Sequence, residues 1–407
     1  MNGRAAEHNG FDPARLAAID PFLKERYIDS GQFPHAQLLI ARGDEIVHFS
    51  SQGAARAGDS RAIDESSLFR IASMTKPVTS VAFMMLVEES KVALDTPVHE
   101  VLPEFRGVGV YAGGGAGVPF ATRATDAPMR MVDLLRHTAG LTYSFQNRSN
   151  IDAAHRELKL ENWHGGYDLD GFVAALARLP LEFSPGARWN YSVATDVLGL
   201  VVQRVSGLPL ERFFAERIFA PLGMHDTFFT VPADKIDRLV DCYTQVPGKG
   251  RVMFDRGADS MWSSPFTLVS GGGGLVSTAF DYHRFCRMLL NGGALDGARI
   301  LGRKTVALMT QNHLPGNADL AAMSDSLFSE TQNAGTGFGL GFAVTIDVAR
   351  SMMPGSVGEY YWGGMFSTAF FIDPVERVSM VFMTQLSPSM IYPIRRELKT
   401  MIYAAMT

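Results

Sequence analysis

Ser73 and Lys76 stand three residues apart in Ser73-Met74-Thr75-Lys76-Pro77, at the entrance to an apolar run from Val78 to Val87. On a helix that spacing puts both side chains on one face, a turn apart. A serine hydroxyl is a poor nucleophile at its free pKa and needs a base beside it. A lysine serves when burial or a neighbouring cation lowers its pKa towards neutral. Pro77 fits only the first turn of a helix, where its missing N–H would be unbonded anyway. Ser73 therefore falls at a helix mouth, where free N–H groups and the positive dipole end favour developing negative charge. Serine and lysine at this spacing are common on protein surfaces. Here the flanks, Phe69-Arg70-Ile71-Ala72 and Val78-Thr79-Ser80-Val81-Ala82-Phe83, are those of a buried helix. A lysine in such a segment must be paired or perturbed.

Two further stretches carry candidate chemistry. Pro185-Gly186-Ala187-Arg188-Trp189-Asn190-Tyr191-Ser192-Val193 places a tyrosine just before a helical pattern. A tyrosine beside Lys76 could share its proton and act on Ser73 or on a leaving group; most tyrosines in this setting only pack. Tyr361-Trp362-Gly363-Gly364-Met365-Phe366 sets two glycines inside a strand pattern. They weaken a strand unless something must approach the backbone, such as a substrate lying along an edge. The alternative is a β-bulge.

The elements that must position these residues follow from periodicity. Residues 11–29 predict an amphipathic helix with Phe11, Leu16, Ile19, Phe22 and Leu23 on its apolar side. Gln37 to Phe49 reads as a hairpin turning at Arg42-Gly43-Asp44-Glu45. Residues 107–128, with Gly113-Gly114-Gly115 and two prolines, read as a long loop. Met131 to Leu135 predicts a helix stopped by the glycine of Arg136-His137-Thr138-Ala139-Gly140-Leu141. Leu169 to Leu179, Val193 to Val205 (closed by Ser206-Gly207) and Leu210 to Ile218 show helical periodicity. Ser270-Gly271-Gly272-Gly273-Gly274 reads as a flexible junction; it lacks the Lys-Ser/Thr of a phosphate loop. Gly337-Phe338-Gly339-Leu340-Gly341 has the wrong spacing for a dinucleotide fingerprint and leads into a strand, Phe342 to Ile346. Tyr360 to Ile372 and Val378 to Gln385 read as strands joined by Asp373-Pro374-Val375-Glu376, and Ile391 to Met406 as a terminal helix. Strands thus lie at the two ends and helices in the middle. That arrangement predicts an α/β domain made of residues 1–85 and 271–407, with a helical domain, 86–270, inserted and the active site at their interface.

Composition narrows the function classes. At 407 residues there is ample material for a core, and a net charge of -5 offers no basic patch for nucleic acid. No stretch approaches the roughly 20 apolar residues of a membrane span, and Met1 to His8 has no apolar signal core. Cys242 and Cys286 are too few for a disulfide framework and read as reduced thiols of a cytoplasmic protein. The histidines are scattered without ligand spacing, so no metal and no cofactor is expected.

Ser73-Met74-Thr75-Lys76, Leu134-Leu135-Arg136-His137-Thr138-Ala139-Gly140-Leu141, Pro185-Gly186 through Tyr191-Ser192, and Trp362-Gly363-Gly364 occur in this order. Together they resemble the serine β-lactamase-related proteins, and most closely the family VIII carboxylesterases, over nearly the whole chain; the first is the Ser-x-x-Lys signature of penicillin-recognising enzymes. The resemblance implies an α+β fold of the β-lactamase and penicillin-binding-protein type, an antiparallel sheet flanked by helices plus an inserted helical domain. It implies that Ser73 is acylated, that Lys76 and Tyr191 act together as general base and then acid, and that the backbone N–H groups of Ser73 and Met365 form an oxyanion hole.

Two departures bear on substrate. Relatives that act on β-lactams or peptides usually carry Lys-Thr-Gly or His-Thr-Gly where this chain has Trp362-Gly363-Gly364, and the cation there helps hold a carboxylate. Trp362 offers an apolar face and one N–H instead. They also usually carry Asn where this chain has Val193, which removes an amide partner for an acylamino group. With Trp362, Gly363, Gly364 and Val193 as substrate-contacting positions, small neutral esters of short to medium acyl chains are the expected substrates, with weak activity on β-lactams compatible with the same machinery. The competing readings are an acyltransferase of the same fold, a β-lactamase or D-Ala-D-Ala peptidase, and a module that binds a ligand without turnover. No Gly-x-Ser-x-Gly occurs, so the α/β-hydrolase elbow does not compete.

Overall fold

The computed structural model describes residues 9–324 and 333–407; the N-terminal stretch Met1 to His8, in which no signal core was read, lies outside the described residues. Seven strands form one antiparallel sheet: β1 (His35–Arg42), β2 (Glu45–Gly53), β3 (Thr336–Phe338), β4 (Ala343–Thr345), β5 (Tyr360–Gly363), β6 (Ala369–Asp373) and β7 (Val378–Met383), in the order β3-β4-β5-β6-β7-β1-β2. The two ends of the chain meet where β1 pairs with β7, Leu39 opposite Val381.

Both faces of the sheet are covered, which is why its central strands read as unbroken apolar runs. Alternate residues divide between two cores. Leu38, Ile40, Phe371, Met380 and Phe382 pack against the N-terminal helices through Leu16, Ile19 and Leu23 and against the C-terminal helix through Ile394, Leu398 and Ile402. Leu39, Phe370, Ile372, Val381 and Met383 face the larger core, which holds α1 (Thr75–Glu88) and α2 (Ala194–Ser206). Every residue of α1 from Thr75 to Leu86 is buried, so this helix is enclosed on all sides.

The predicted amphipathic helix at 11–29 is present as successive helical segments from Pro13 to Ile28, and the 37–49 hairpin turns where expected. Four expectations change. The loop at 107–128 contains a hairpin, Val110–Gly115 with Val118–Arg123; glycines at φ +154°, +90° and +98° let its first strand bulge and twist while remaining paired. Gly140 does not stop the Met131–Leu135 helix, which ends at Arg136; its Cβ would lie 2.3 Å from the Phe183 carbonyl oxygen, so it is glycine because another strand of chain passes there. Residues 270–274 are a buried turn, not a flexible junction. Tyr360 to Ile372 is two strands, because the chain reverses between Gly364 and Thr368 with Ser367 at φ +67°.

Candidate active site

Ser73 sits in a single 3-10 turn, Ala72–Met74, that runs directly into α1. Ala72 is held at φ +44°, a left-handed conformation an alanine adopts at some cost and one that clusters at functional turns. The preceding residues are tied to the body of the protein. Arg70 and Gln385 exchange hydrogen bonds, the Arg70 N–H donating to Gln385 Oε1 at 3.0 Å and Gln385 Nε2 to the Arg70 carbonyl at 3.0 Å, and the Ile71 N–H donates to the Leu275 carbonyl at 3.0 Å. Ser73 is therefore presented by a turn fixed on both sides.

Lys76 follows on the first turn of α1 and is 2% exposed. Its ammonium reaches three oxygens: Ser73 Oγ at 3.3 Å, Tyr143 Oη at 3.0 Å and the Gly272 carbonyl at 2.7 Å. These match the three N–H bonds of the group, and removal of one proton would leave a lone pair within reach of Ser73. Tyr191 comes from the other side, its hydroxyl donating to Ser73 Oγ at 2.6 Å, and Lys76 Nζ lies 4.6 Å from its ring centre. Ser73 Oγ thus lies within hydrogen-bond reach of both Lys76 and Tyr191, as general acid–base work on a serine requires.

The Arg136-to-Leu141 stretch cradles the tyrosine. The Asn190 N–H donates to the His137 carbonyl at 2.9 Å, Asn190 Nδ2 to the Leu141 carbonyl at 2.8 Å and the Gly186 N–H to the Thr138 carbonyl at 2.8 Å, while Gln146 holds the Tyr191 carbonyl. His137 packs its ring 5.0 Å from that of Tyr191. Burial, and then the charge of Lys76, holds His137 well below the usual histidine pKa, so it is a neutral packing group.

Two side chains of this constellation, Tyr143 and Asp196, are not among the residues the sequence motifs pick out. Tyr143 is buried, and burial followed by the charge of Asp196 pushes its hydroxyl well above 10, which keeps it a neutral acceptor for Lys76. Asp196, on the first turn of α2, accepts from Ser270 Oγ at 2.5 Å and from the Gly272 N–H at 3.0 Å. It thereby fixes the peptide whose carbonyl receives Lys76. Burial raises the Asp196 pKa and the Lys76 charge opposes that rise. The glycine run at 271–274 serves this turn: a Cβ on Gly272 would lie 2.6 Å from Asp196 Oδ2. The legible signal was an acidic residue at i+5 from Tyr191 on a helix otherwise apolar at its start.

Trp362, Gly363, Gly364 and Met365 line the same cavity of about 550 Å³ as Ser73. Trp362 packs edge-on to Phe338 with ring centres 5.4 Å apart and 5.5 Å from Tyr191. Its Nε1 is buried without a hydrogen-bond partner, so the part of the indole that reaches the cavity is carbon. Strand β4 pairs with β5 only up to Tyr361, leaving Trp362 and Gly363 past the end of that neighbour. The pairing of β5 with β6 is regular through Gly363, so no bulge accounts for the glycines. Protein atoms do: a Cβ on Gly363 would lie 2.5 Å from the Arg395 guanidinium, and one on Gly364 2.5 Å from the Ile71 carbonyl oxygen. Val193 is fully buried in the larger core and is not among the residues lining the cavity, so the structure does not bring it to the substrate side.

Residues 17–400 match the family described as Beta-lactamase. The chain belongs to that family. Esterase EstB of Burkholderia gladioli is 32% identical over 418 residues, covering 96% of this chain and 95% of the esterase. Protein Rv1367c of Mycobacterium tuberculosis (strain ATCC 25618 / H37Rv) is 35% identical over 365 residues, 89% of this chain and 88% of that protein. Among solved structures, EstCE1, described as a hydrolase with promiscuous acyltransferase activity, superposes with a TM-score of 0.80 at 26% identity, covering 96% of this chain and 99% of its own. The resemblance to family VIII esterases read from the four motifs agrees with these relatives, and the α+β fold with its antiparallel sheet is that of the family.

Proposed function

We propose that the protein is a serine carboxylesterase that hydrolyses uncharged esters of short to medium acyl chains through an acyl-enzyme on Ser73. The observation that carries the reading is Ser73 Oγ lying 2.6 Å from the Tyr191 hydroxyl and 3.3 Å from Lys76 Nζ inside a cavity walled by Trp362. Once the Lys76–Tyr191 pair has given up one proton to solvent, Ser73 Oγ attacks the ester carbonyl carbon as the serine proton passes to that pair. The resulting oxyanion faces the N–H groups of Ser73 and Met365. The pair returns the proton to the leaving alcohol oxygen as the C–O bond breaks, and water then repeats the sequence on the acyl-enzyme. Similarity to Esterase EstB supports hydrolysis of esters, and similarity to EstCE1 favours a second outcome in which an alcohol replaces water at the last step.

The residues come from two parts of the chain. Ser73, Lys76 and Trp362 belong to 1–85 and 271–407; Tyr143, Tyr191 and Asp196 belong to 86–270. This supports a site between a discontinuous α/β body and an inserted, mainly helical one. The partner is a small-molecule ester; no described helix is long and apolar enough to cross a membrane. Two buried free thiols, Cys242 and Cys286, support a place in the cytoplasm. A nitrophenyl ester series measured beside a chromogenic cephalosporin, with and without an alcohol acceptor, tests the reading. Ester hydrolysis should dominate. Faster cephalosporin turnover would replace it with a β-lactamase, and acylated alcohol as the main product with an acyltransferase.

A further inference from the structure

The geometry points to Arg395 as the residue that positions the oxyanion donor of Met365. This inference rests on the acyl-enzyme reading above and adds to it a residue far along the chain, near the start of the C-terminal helix Ile394–Ala404. Met365 lies in the reversal between β5 and β6, and that reversal is what Arg395 grips. Arg395 Nη2 donates to the Gly364 carbonyl at 2.9 Å and to the Thr368 carbonyl at 3.0 Å, so a single nitrogen ties together the two ends of the turn. The turn is closed from within by the Gly364 N–H on the Thr368 carbonyl at 2.9 Å and the Ser367 N–H on the Gly364 carbonyl at 3.1 Å. Gly364 O and Thr368 O thus each accept twice, once from the turn and once from Arg395.

The absence of a side chain at Gly363 belongs to the same device. The guanidinium occupies the space a Cβ there would take, with Cζ and Nη2 each 2.5 Å from the Cβ position. The first glycine of Trp362-Gly363-Gly364 therefore admits Arg395, and the second admits the Ile71 carbonyl of the segment leading to Ser73. Arg395 fixes the turn on one side and Ile71 meets it on the other, and Met365 is the residue that follows Gly364 in that turn. Arg395 also lines the cavity with Ser73. A planar fork of fixed geometry suits this work; a lysine would offer a point charge with rotating donors.

The experiment measures kcat and KM for a nitrophenyl butyrate in wild type, Arg395→Ala, Arg395→Lys, Gly363→Ala and the Gly363→Ala/Arg395→Ala double variant, with Ser73→Ala in parallel. Misplacing an oxyanion donor by about 1 Å costs on the order of 10²-fold. Arg395→Ala is expected to lower kcat by about 10- to 100-fold with KM nearly unchanged. Added guanidinium ion should restore part of that loss, and Arg395→Lys should restore less than the full wild-type rate. Gly363→Ala should cost a similar factor in the wild-type background and a smaller one in the Arg395→Ala background, because its closest clash, with the guanidinium at 2.5 Å, is already removed there and only that with the Thr368 carbonyl oxygen at 2.8 Å remains. A loss confined to KM, the absence of guanidinium rescue, or Gly363→Ala costs that multiply with those of Arg395→Ala would overturn the inference. Should Arg395→Ala not fold, Gly363→Ala decides alone, and full activity in it is a refutation. If Ser73→Ala retains activity, the acyl-enzyme reading fails whatever Arg395 does; if Ser73→Ala is inactive and Arg395→Ala behaves as wild type, only the present inference fails.

Discussion

Adding one methyl group at Gly364 should separate the two halves of the proposed oxyanion hole. The Cβ of Gly364→Ala would lie 2.3 Å from Thr368 Oγ1 and 2.5 Å from the Ile71 carbonyl oxygen. The threonine side chain can rotate away. The carbonyl cannot, because it belongs to the main chain two residues before Ser73. Restoring an ordinary contact of about 3.5 Å from 2.5 Å requires about 1 Å of movement between the turn carrying Met365 and the segment carrying Ser73. Gly364 has no positive φ, so the perturbation is one of space alone. A displacement of about 1 Å at a catalytic group costs on the order of 10²-fold in kcat. Overpacking of this kind also costs about 1–3 kcal/mol of stability. The assay is kcat and KM for a nitrophenyl butyrate beside a thermal unfolding curve. A variant that folds with a modest drop in Tm and loses about two orders of magnitude in kcat fits the account. Wild-type kcat would show that the spacing between Ile71 and Gly364 does not set the rate, and the oxyanion role of Met365 would fall with it.

Other perturbations address the remaining parts of the site. Lys76→Ala and Tyr191→Phe should each lower kcat by about 10²- to 10⁴-fold, and the double variant by much less than the product, because both act on one proton of Ser73; multiplicative losses would show separate proton paths. Trp362→Lys should narrow the ratio of kcat/KM between a butyrate ester and a cephalosporin, since the carbon wall now facing the cavity leaves a carboxylate desolvated without an ionic partner at a cost of a few kcal/mol. An unchanged ratio would remove Trp362 from substrate choice. His283 is pushed down to about 4 by burial. It is neutral in the fold but protonates near 6.5 when unfolded, so the unfolded state binds more protons between about 6.5 and 4 and stability falls as pH falls through that window. His283→Gln should flatten the decline of Tm across it while leaving Tm above pH 7 on a level course; an unaltered slope would contradict the assignment.

Much of the candidate site was legible because its parts are local. Ser73 and Lys76 share one helical turn, Pro77 marks where that helix begins, and Tyr191 stands immediately before α2. Antiparallel strands with both faces buried show themselves as apolar runs, so β1 and β7 were readable, and the hairpin turn at Gly43 declared its position. What escaped was set by tertiary contact. The hairpin at 110–123 hides behind glycines that serve its twist. The 271–274 run looks flexible in sequence and is a buried turn, because Asp196 and Lys76 approach its backbone from 76 and 196 residues away in sequence. Gly363 and Gly364 signalled a close approach, but nothing local says that the approaching groups are Arg395 and Ile71. The resemblance implies a substrate-contacting position at Val193, yet its aliphatic side chain is buried in the larger core. Tyr143 carries no signal of its own: it follows Leu141-Thr142 in a segment whose visible pattern ends at the glycine.

Covalent acylation of Ser73 is the step on which the proposed chemistry turns. The most direct measurement is peptide mass spectrometry of the protein after reaction with a phosphonate ester or a slowly released acyl ester. One adduct per chain is expected, carried by the peptide containing Ser73, with labelling abolished in Ser73→Ala and slowed in Lys76→Ala. An adduct on another residue, or full-rate labelling in the absence of Ser73, would contradict it.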